Sequence, residues 1–208
     1  MATMSAATDD AGDPRRGYFD ALAAQWDDEE PSAESMAARL DQYAPLLGLR
    51  PGHDVLEAGC GTGKTTGWLV DQVRPGRVTA VDFAARMVEC ARSKGLDADF
   101  ASLDLVSDDL GVARFDAVFC FHAFPHLRDQ SAALRNFSRA LRPGGRLLVM
   151  HLAGSERINA FHAALSGPVS GDVLPSGEGW CGLLESAGLS PVRQIDREDL
   201  FLVTAAKP

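Results

Sequence analysis

With 208 residues, the chain fits one domain with some added segments on a scale of roughly 100 to 200 residues per domain, and a composition 46% hydrophobic and 24% charged sets aside a disordered tail or a fibrous repeat. Twenty Lys and Arg against 29 Asp and Glu give a formal charge of -9, which repels phosphate backbones and anionic lipid heads at long range. A nucleic-acid or membrane partner is therefore not expected.

In chain order, residues 1–14 read as a flexible start, with neither the basic opening nor the apolar run of a signal peptide. Residues 15–27 and 34–47 are predicted amphipathic helices, the second with Met36, Leu40, Tyr43 and Leu47 on one stripe. From residue 53 the pattern changes to short apolar runs separated by helix-like stretches, which predicts strands at 54–57, 77–81, 98–101, 115–121 and 146–152. Strands too apolar to face water, alternating with helices, imply a parallel sheet covered by helices. Beyond them, 155–165 is a predicted helix, 167–175 a Gly/Pro-rich loop long enough to act as a lid, and 178–187 a helix stopped by Gly188. The runs 191–195 and 200–205 are joined only by 196–199, and so short a link suits antiparallel neighbours, because parallel strands need a crossover of about a dozen residues. The expected fold is α/β, a Rossmann-like three-layer sandwich with a mostly parallel seven-stranded sheet and an antiparallel C-terminal hairpin. Its single domain would span 15–208, with cap helices over 15–50, a ligand-binding core over 52–152, substrate-side helices and a lid over 153–190, and the hairpin over 191–208.

Cys60, Cys90, Cys120 and Cys181 form no CxxC pair, so neither a zinc knuckle nor a disulfide framework is suggested, and reduced cytoplasmic thiols are expected. No stretch approaches the roughly 18 uninterrupted apolar residues of a membrane helix.

The densest signal is Val55-Leu56-Glu57-Ala58-Gly59-Cys60-Gly61-Thr62-Gly63, a strand running into a glycine turn and then a helix over 64–72. Glycines permit positive φ and let a ligand approach the backbone amides. Read over 58–65 the same stretch is AxxxxGKT, a P-loop whose first Gly is Ala. Three features favour a nucleoside over a triphosphate. Glu57 would repel a polyphosphate; Asp82 ends the second strand 19 residues past Gly63, where Rossmann-type folds hold ribose hydroxyls; and no further strand ends in a plausible magnesium ligand. The spacing GxGxG also falls short of the dinucleotide fingerprint GxGxxG.

Here the sequence resembles the class I S-adenosylmethionine-dependent methyltransferases, whose first motif, E/D-x-G-x-G-x-G, is matched in full over 57–63. The likeness continues in order through Asp82-Phe83, Phe100 with Asp104, Phe115-Asp116-Ala117-Val118 and Leu141-Arg142-Pro143-Gly144-Gly145-Arg146-Leu147, covering about residues 52–152. It implies transfer of a methyl group from S-adenosylmethionine to a nucleophilic atom of a small molecule. Glu57, Gly59, Cys60, Gly61 and Gly63 would hold the methionine part and Asp82 the ribose. Phe83 would flank adenine and Asp104 accept its exocyclic amine, with Met87, Leu103 and Phe121 also beside the cofactor. Residues 17–20 and Trp26-Asp27 are similar to the covering helix of small-molecule methyltransferases of the quinone-biosynthesis type, which puts Tyr18 and Trp26 near the substrate. One departure stands out: the family's frequent Leu-Pro-Phe after the Asp104 position is here Val106-Ser107-Asp108-Asp109-Leu110.

His122 and His151 end strands that are neighbours in such a fold, and His126 follows on the adjoining loop, so all three could face the reacting atom. A histidine titrating near 6.5 suits proton removal at neutral pH, with His122 or His151 as candidate base. Three imidazoles could instead hold zinc, although no metal spacing demands it, or His126 could brace its loop and His151 bond a backbone carbonyl. On the helix 155–165, Ser155, Asn159 and His162 form a polar stripe that lines a substrate pocket or faces water. No metal site is expected, and the chain would act as a monomer or homodimer.

Overall fold

The computed structural model describes residues 12–29 and 31–208. Most of the expected flexible start lies outside these residues, but Asp13 caps the first helix by accepting from the Arg15 amide at 3.0 Å. The elements follow in order as α1 (Pro14–Leu22), α2 (Trp26–Glu29), α3 (Ala33–Asp41), α4 (Ala44–Leu47), β1 (Val55–Ala58), α5 (Thr66–Val73), β2 (Val78–Asp82), α6 (Ala85–Ser93), β3 (Asp99–Ser102) and β4 (Phe115–Phe121). A short turn at Phe124–His126 leads to α7 (Gln130–Ala140), β5 (Leu141–His151), α8 (Ser155–Ala164), α9 (Gly179–Ser186), β6 (Ser190–Arg197) and β7 (Leu200–Ala206).

The two predicted N-terminal helices are each divided. Pro45 lacks an amide hydrogen and crowds the preceding turn, so the second restarts as α4 after Tyr43. The last parallel strand begins at Leu141, five residues earlier than expected. Pro143, Gly144 and Gly145 bulge, and the register with β4 jumps from Phe115↔Leu141 to Ala117↔Arg146.

The strands form one seven-stranded sheet in the order β3-β2-β1-β4-β5-β7-β6. The first five run parallel, and β7 pairs antiparallel with both β5 and β6. Alternation along each strand explains the two helical layers. Val118 and Cys120 on one face meet Leu134, Phe137 and Trp180 from α7 and α9, while Ala117, Phe119 and Phe121 on the other meet Leu40, Leu47, Trp68 and Leu69 from α3, α4 and α5. Full burial of a side chain such as Phe119 contributes roughly 1.5 to 3 kcal/mol, so the centre of the sheet is its most secure part. A smaller cluster, Phe19, Ala23, Ala84, Met87 and Val169, fastens α1 to α6 and to the loop after α8. The predicted cap and lid therefore meet over the same edge of the sheet.

Candidate active site

Between β1 and β4 the strand order reverses, and at such a switch point the loops leaving the two strands part and leave a crevice at the carboxyl ends. A cavity of about 1080 Å³, counted to its mouth, fills this crevice, with the turn after β1, Asp82, Asp104, Phe121, His122 and His126 in its walls.

The glycines of the turn do different work. A Cβ at Gly59 would stand 2.3 Å from the Cβ of Ala123, so this glycine lets the turn pack on the loop after β4. At Gly61, with φ of +53°, a Cβ would meet nothing within 4 Å and would project into open space. Gly61 is the position that leaves backbone accessible to a ligand.

Glu57 is placed apart from the residues that line the cavity. Its carboxylate does not reach the cavity; it is buried beneath the turn, where Oε1 and Oε2 accept hydrogen bonds from the hydroxyls of Thr65 and Thr66 at 2.6 Å each. Burial pushes its pKa up to about 7, against the lowering effect of those two bonds. Glu57 thus ties the start of α5 to β1.

Asp82 does face the cavity. Its Oδ2 accepts from the Gly61 amide at 2.8 Å and its Oδ1 from the Ala84 amide at 2.9 Å, which holds the glycine turn against the end of β2. Burial raises its pKa despite these bonds. Each oxygen retains a second lone pair for a ligand hydroxyl. Asp104 also lines the cavity, with Oδ1 accepting from the Val106 amide at 2.8 Å and Oδ2 paired with Arg128 at 2.9 Å. Leu105 and Val106 supply apolar wall beside it, so the departure from the Leu-Pro-Phe pattern keeps an apolar surface there.

Lys64 was not among the expected site residues except as a P-loop lysine. Its Nζ lies buried in the cavity wall without a hydrogen bond, and the nearest carboxylate oxygen, Oδ1 of Asp27, is 3.6 Å away. Asp27 is itself engaged by Thr62 and Lys94, each at 2.6 Å. A buried ammonium lacking a short partner is costly, and a ligand carboxylate would supply one. With the open space at Gly61 and the acids at Asp82 and Asp104, the wall suits an amino-acid-bearing nucleoside such as S-adenosylmethionine. Lys64→Met should weaken S-adenosylhomocysteine about 10-fold to 100-fold by removing one charge-assisted bond, yet leave methylthioadenosine, which lacks the carboxylate, unchanged. Titration calorimetry with both ligands reads the difference.

The three histidines expected to converge are separated by depth. His122 lines the cavity in a left-handed conformation, φ +56°, uncommon for a side-chain-bearing residue. Its Nε2 accepts from the Leu152 amide at 3.1 Å, and surrounding protein, then Arg39 and His126, push its pKa down to about 4. His151 lies behind it, rings 5.0 Å apart, fully buried and outside the cavity wall, with Nε2 unpartnered. Burial, then His122, hold its pKa well below the usual value. Neighbouring strand ends were expected and found, but His151 does not reach the cavity. Among the described residues no group of His, Cys, Asp and Glu is arranged to hold a metal ion.

These depressed values carry a sign. An unfolded chain takes up a proton near 6.5, whereas native His122 resists until about 4, so folded stability falls as pH drops through that window. His151→Phe removes an orphaned nitrogen while keeping an aromatic ring, and should lessen the loss in melting temperature between pH 7.5 and 5. Thermal melts at the two pH values check it.

Of the remaining expected residues, Gly59, Cys60, Phe83, Met87 and Trp26 line the cavity, while Gly63, Leu103, Tyr18, Asn159 and His162 do not. Burial, then Glu57 and Asp82, raise the Cys60 thiol well above its usual range, which rules out a thiolate nucleophile at neutral pH. Asn159 exchanges bonds with the Leu174 backbone at 3.0 and 2.8 Å and braces the loop before α9. His126 lines the cavity and is bound through Nδ1 to Asp172, a residue no sequence pattern marked.

Residues 55–145 match the family model of a methyltransferase domain. The chain is 33% identical over 129 residues to the 27-O-demethylrifamycin SV methyltransferase of Amycolatopsis mediterranei (strain S699), which covers 59% of this chain and 47% of that protein. To the ubiquinone biosynthesis O-methyltransferase of Xanthomonas oryzae pv. oryzae (strain PXO99A) it is 34% identical over 146 residues, covering 64% of this chain and 59% of the relative. The chain spans about half the length of the curated relatives it matches. A S-adenosylmethionine-dependent methyltransferase structure from Aquifex aeolicus gives a TM-score of 0.71 at 22% identity over 93% of this chain and 98% of that one. The cyclase SpnF gives 0.74 at 17% identity over 93% and 95%, so this likeness is one of fold and does not by itself settle chemistry. The domain match runs from the strand before the glycine turn to the bulge of β5, so residues 55–145 are similar to a methyltransferase domain, and the sheet order is that of a fold shared with S-adenosylmethionine-dependent methyltransferases.

Proposed function

We propose that this chain transfers a methyl group from S-adenosylmethionine to a nucleophilic atom of a small molecule. The observation that carries the reading is that the glycine turn, Asp82, Asp104, Lys64, His122 and His126 line one cavity, so that groups able to hold a nucleoside and an imidazole able to handle a proton share one space. When bound, S-adenosylmethionine would supply a sulfonium methyl to an in-line nucleophile. The protein's part is alignment, which for well-oriented reactants is worth on the order of 7 to 11 kcal/mol. Asp82 would hold ribose hydroxyls, Asp104 the adenine amine, Lys64 the carboxylate, and Phe83 and Phe121 the apolar faces. Trp26 and Phe19 from the N-terminal cap would exclude water above the reacting atoms.

Support for a small acceptor comes from the charge of -9 and from relatives named as O-methyltransferases and as phosphoethanolamine N-methyltransferase. We place the protein in the cytoplasm as a monomer or homodimer of one domain over 15–208. Cys60, Cys90, Cys120 and Cys181 are all free thiols, and among the described residues no helix is long and apolar enough to cross a membrane. Formation of S-adenosylhomocysteine with a panel of phenols, alcohols and amines, set against transfer RNA, duplex DNA and a peptide library, tests the acceptor class. Turnover with panel members alone is expected; methyl incorporation into the polymers and none into the panel overturns it.

A further inference from the structure

A base in this cavity needs a ring nitrogen that carries a lone pair and is not already bonded to protein. His151 is outside the cavity wall, and His122 spends Nε2 on the Leu152 amide. His126 is differently placed. It lines the cavity, and its Nδ1 lies 2.6 Å from Oδ2 of Asp172, a side chain with no exposed surface. The other oxygen of Asp172, Oδ1, accepts from Nε and Nη2 of Arg15 at 2.8 and 2.6 Å.

We propose that Arg15, Asp172 and His126 form a proton-accepting relay, in which Asp172 acts as a positioning residue and Nε2 of His126 takes the proton of a hydroxyl acceptor. The inference rests on the methyltransferase reading above and adds to it an acceptor class and two residues that no motif marks.

The direction of the relay follows from which groups can donate. Burial by itself would raise the Asp172 carboxyl, but the hydrogen bonds and charges of His126 and Arg15 together hold it below the ordinary carboxylate range. An ionised carboxylate only accepts, so Nδ1 of His126 is the donor and Nε2 keeps the lone pair. Around the ring stand Phe19 and His162, with centroids 5.1 and 5.0 Å away, and the titratable groups that interact with it beyond Asp172 are Asp82, His122, His151 and His162, with Arg15 reached through Asp172.

The step balances without another reagent. A lone pair of the acceptor oxygen forms the O–CH3 bond, the S–CH3 bond breaks with its electrons passing to sulfur and cancelling the sulfonium charge, and the hydroxyl proton moves to Nε2. The imidazolium then lies against Asp172 until product leaves and water takes the proton. A neutral amine reaches the methyl through a lone pair it already has, so it needs no such relay beforehand. Arg15 belongs to α1 and Asp172 to the loop between α8 and α9, hence the relay is complete only with cap and lid both docked.

Two readouts decide it. In the unloaded wild-type protein, NMR of labelled imidazole nitrogens should find the neutral His126 ring protonated at Nδ1 and not at Nε2. Asp172→Asn must still offer an oxygen to Arg15, so its amide nitrogen faces Nδ1 and drives the ring proton to Nε2. That variant and His126→Gln should each lose about 100-fold or more in turnover of phenols and alcohols, within the usual range of general-base effects, while S-adenosylmethionine affinity by calorimetry stays within about 3-fold. Asp172→Glu should recover part of the rate. A ring proton on Nε2 in the wild type, unchanged hydroxyl turnover in a folded His126→Gln protein, or an amine rate exceeding that of every phenol and alcohol overturns the relay. Absence of S-adenosylmethionine binding would instead overturn the underlying reading, and the wild-type tautomer decides the relay even then.

Discussion

Gly61→Val should bind S-adenosylmethionine on the order of 100-fold more weakly than the parent, or not at all, in a protein that still folds. The added Cβ meets no protein atom within 4 Å, so the substitution does not collide with the fold. Its branches instead occupy the space a ligand needs above the backbone amides. Left-handed backbone at φ +53° adds a strain of roughly 1 to 2 kcal/mol for a side-chain-bearing residue, which a thermal melt will register as a modest shift. Titration calorimetry gives the affinity. Parental affinity in a folded variant would remove the glycine turn from the cofactor site.

A loss of similar size is expected for Asp82→Ala, for two additive reasons. The carboxylate's remaining lone pairs no longer meet ribose hydroxyls, at about 1.5 to 3 kcal/mol for each charge-assisted bond. In addition, the amides of Gly61 and Ala84 lose their acceptor, so the glycine turn is no longer held against β2. Asp82→Asn keeps one acceptor oxygen for this turn and should fall between parent and Ala. Calorimetry across the three proteins separates the contributions; equal affinity in all three would place the ribose elsewhere.

The residues that could be read early are those whose role is local. The run 115–121 is wholly apolar except Asp116, and β4 forms over those residues because an apolar strand of that length is stable only inside a covered sheet. Gly59 and Gly61 sit where positive φ is required, and Asp82 ends β2 beside them because strand and turn are adjacent in both chain and space. Other contacts lie beyond local rules. Glu57 matches the motif, yet two hydroxyls eight and nine residues further on draw its carboxylate under the turn, a contact no motif encodes. His122 and His151 stand at the ends of adjoining strands, and because Phe121 and Met150 are partners in the register, alternation does not separate the two; His122 instead leaves its strand in a left-handed conformation, φ +56°, which no periodicity encodes.

Legible in the residues alone are the alternation of strands and helices, the glycine turn, the acid at the end of the second strand and the resemblance to a methyl-transferring family. Each depends on residues near one another in the chain, where periodicity and conformational restriction act directly. Only the tertiary structure decided which acids and histidines face the cavity, that Lys64 lies buried there without a hydrogen bond, and that Asp172 joins His126 across 46 positions and Arg15 across 157. Such pairings arise when cap and lid close over the sheet and bury polar groups that must then find partners, and the partner is set by packing distance, not by spacing along the chain.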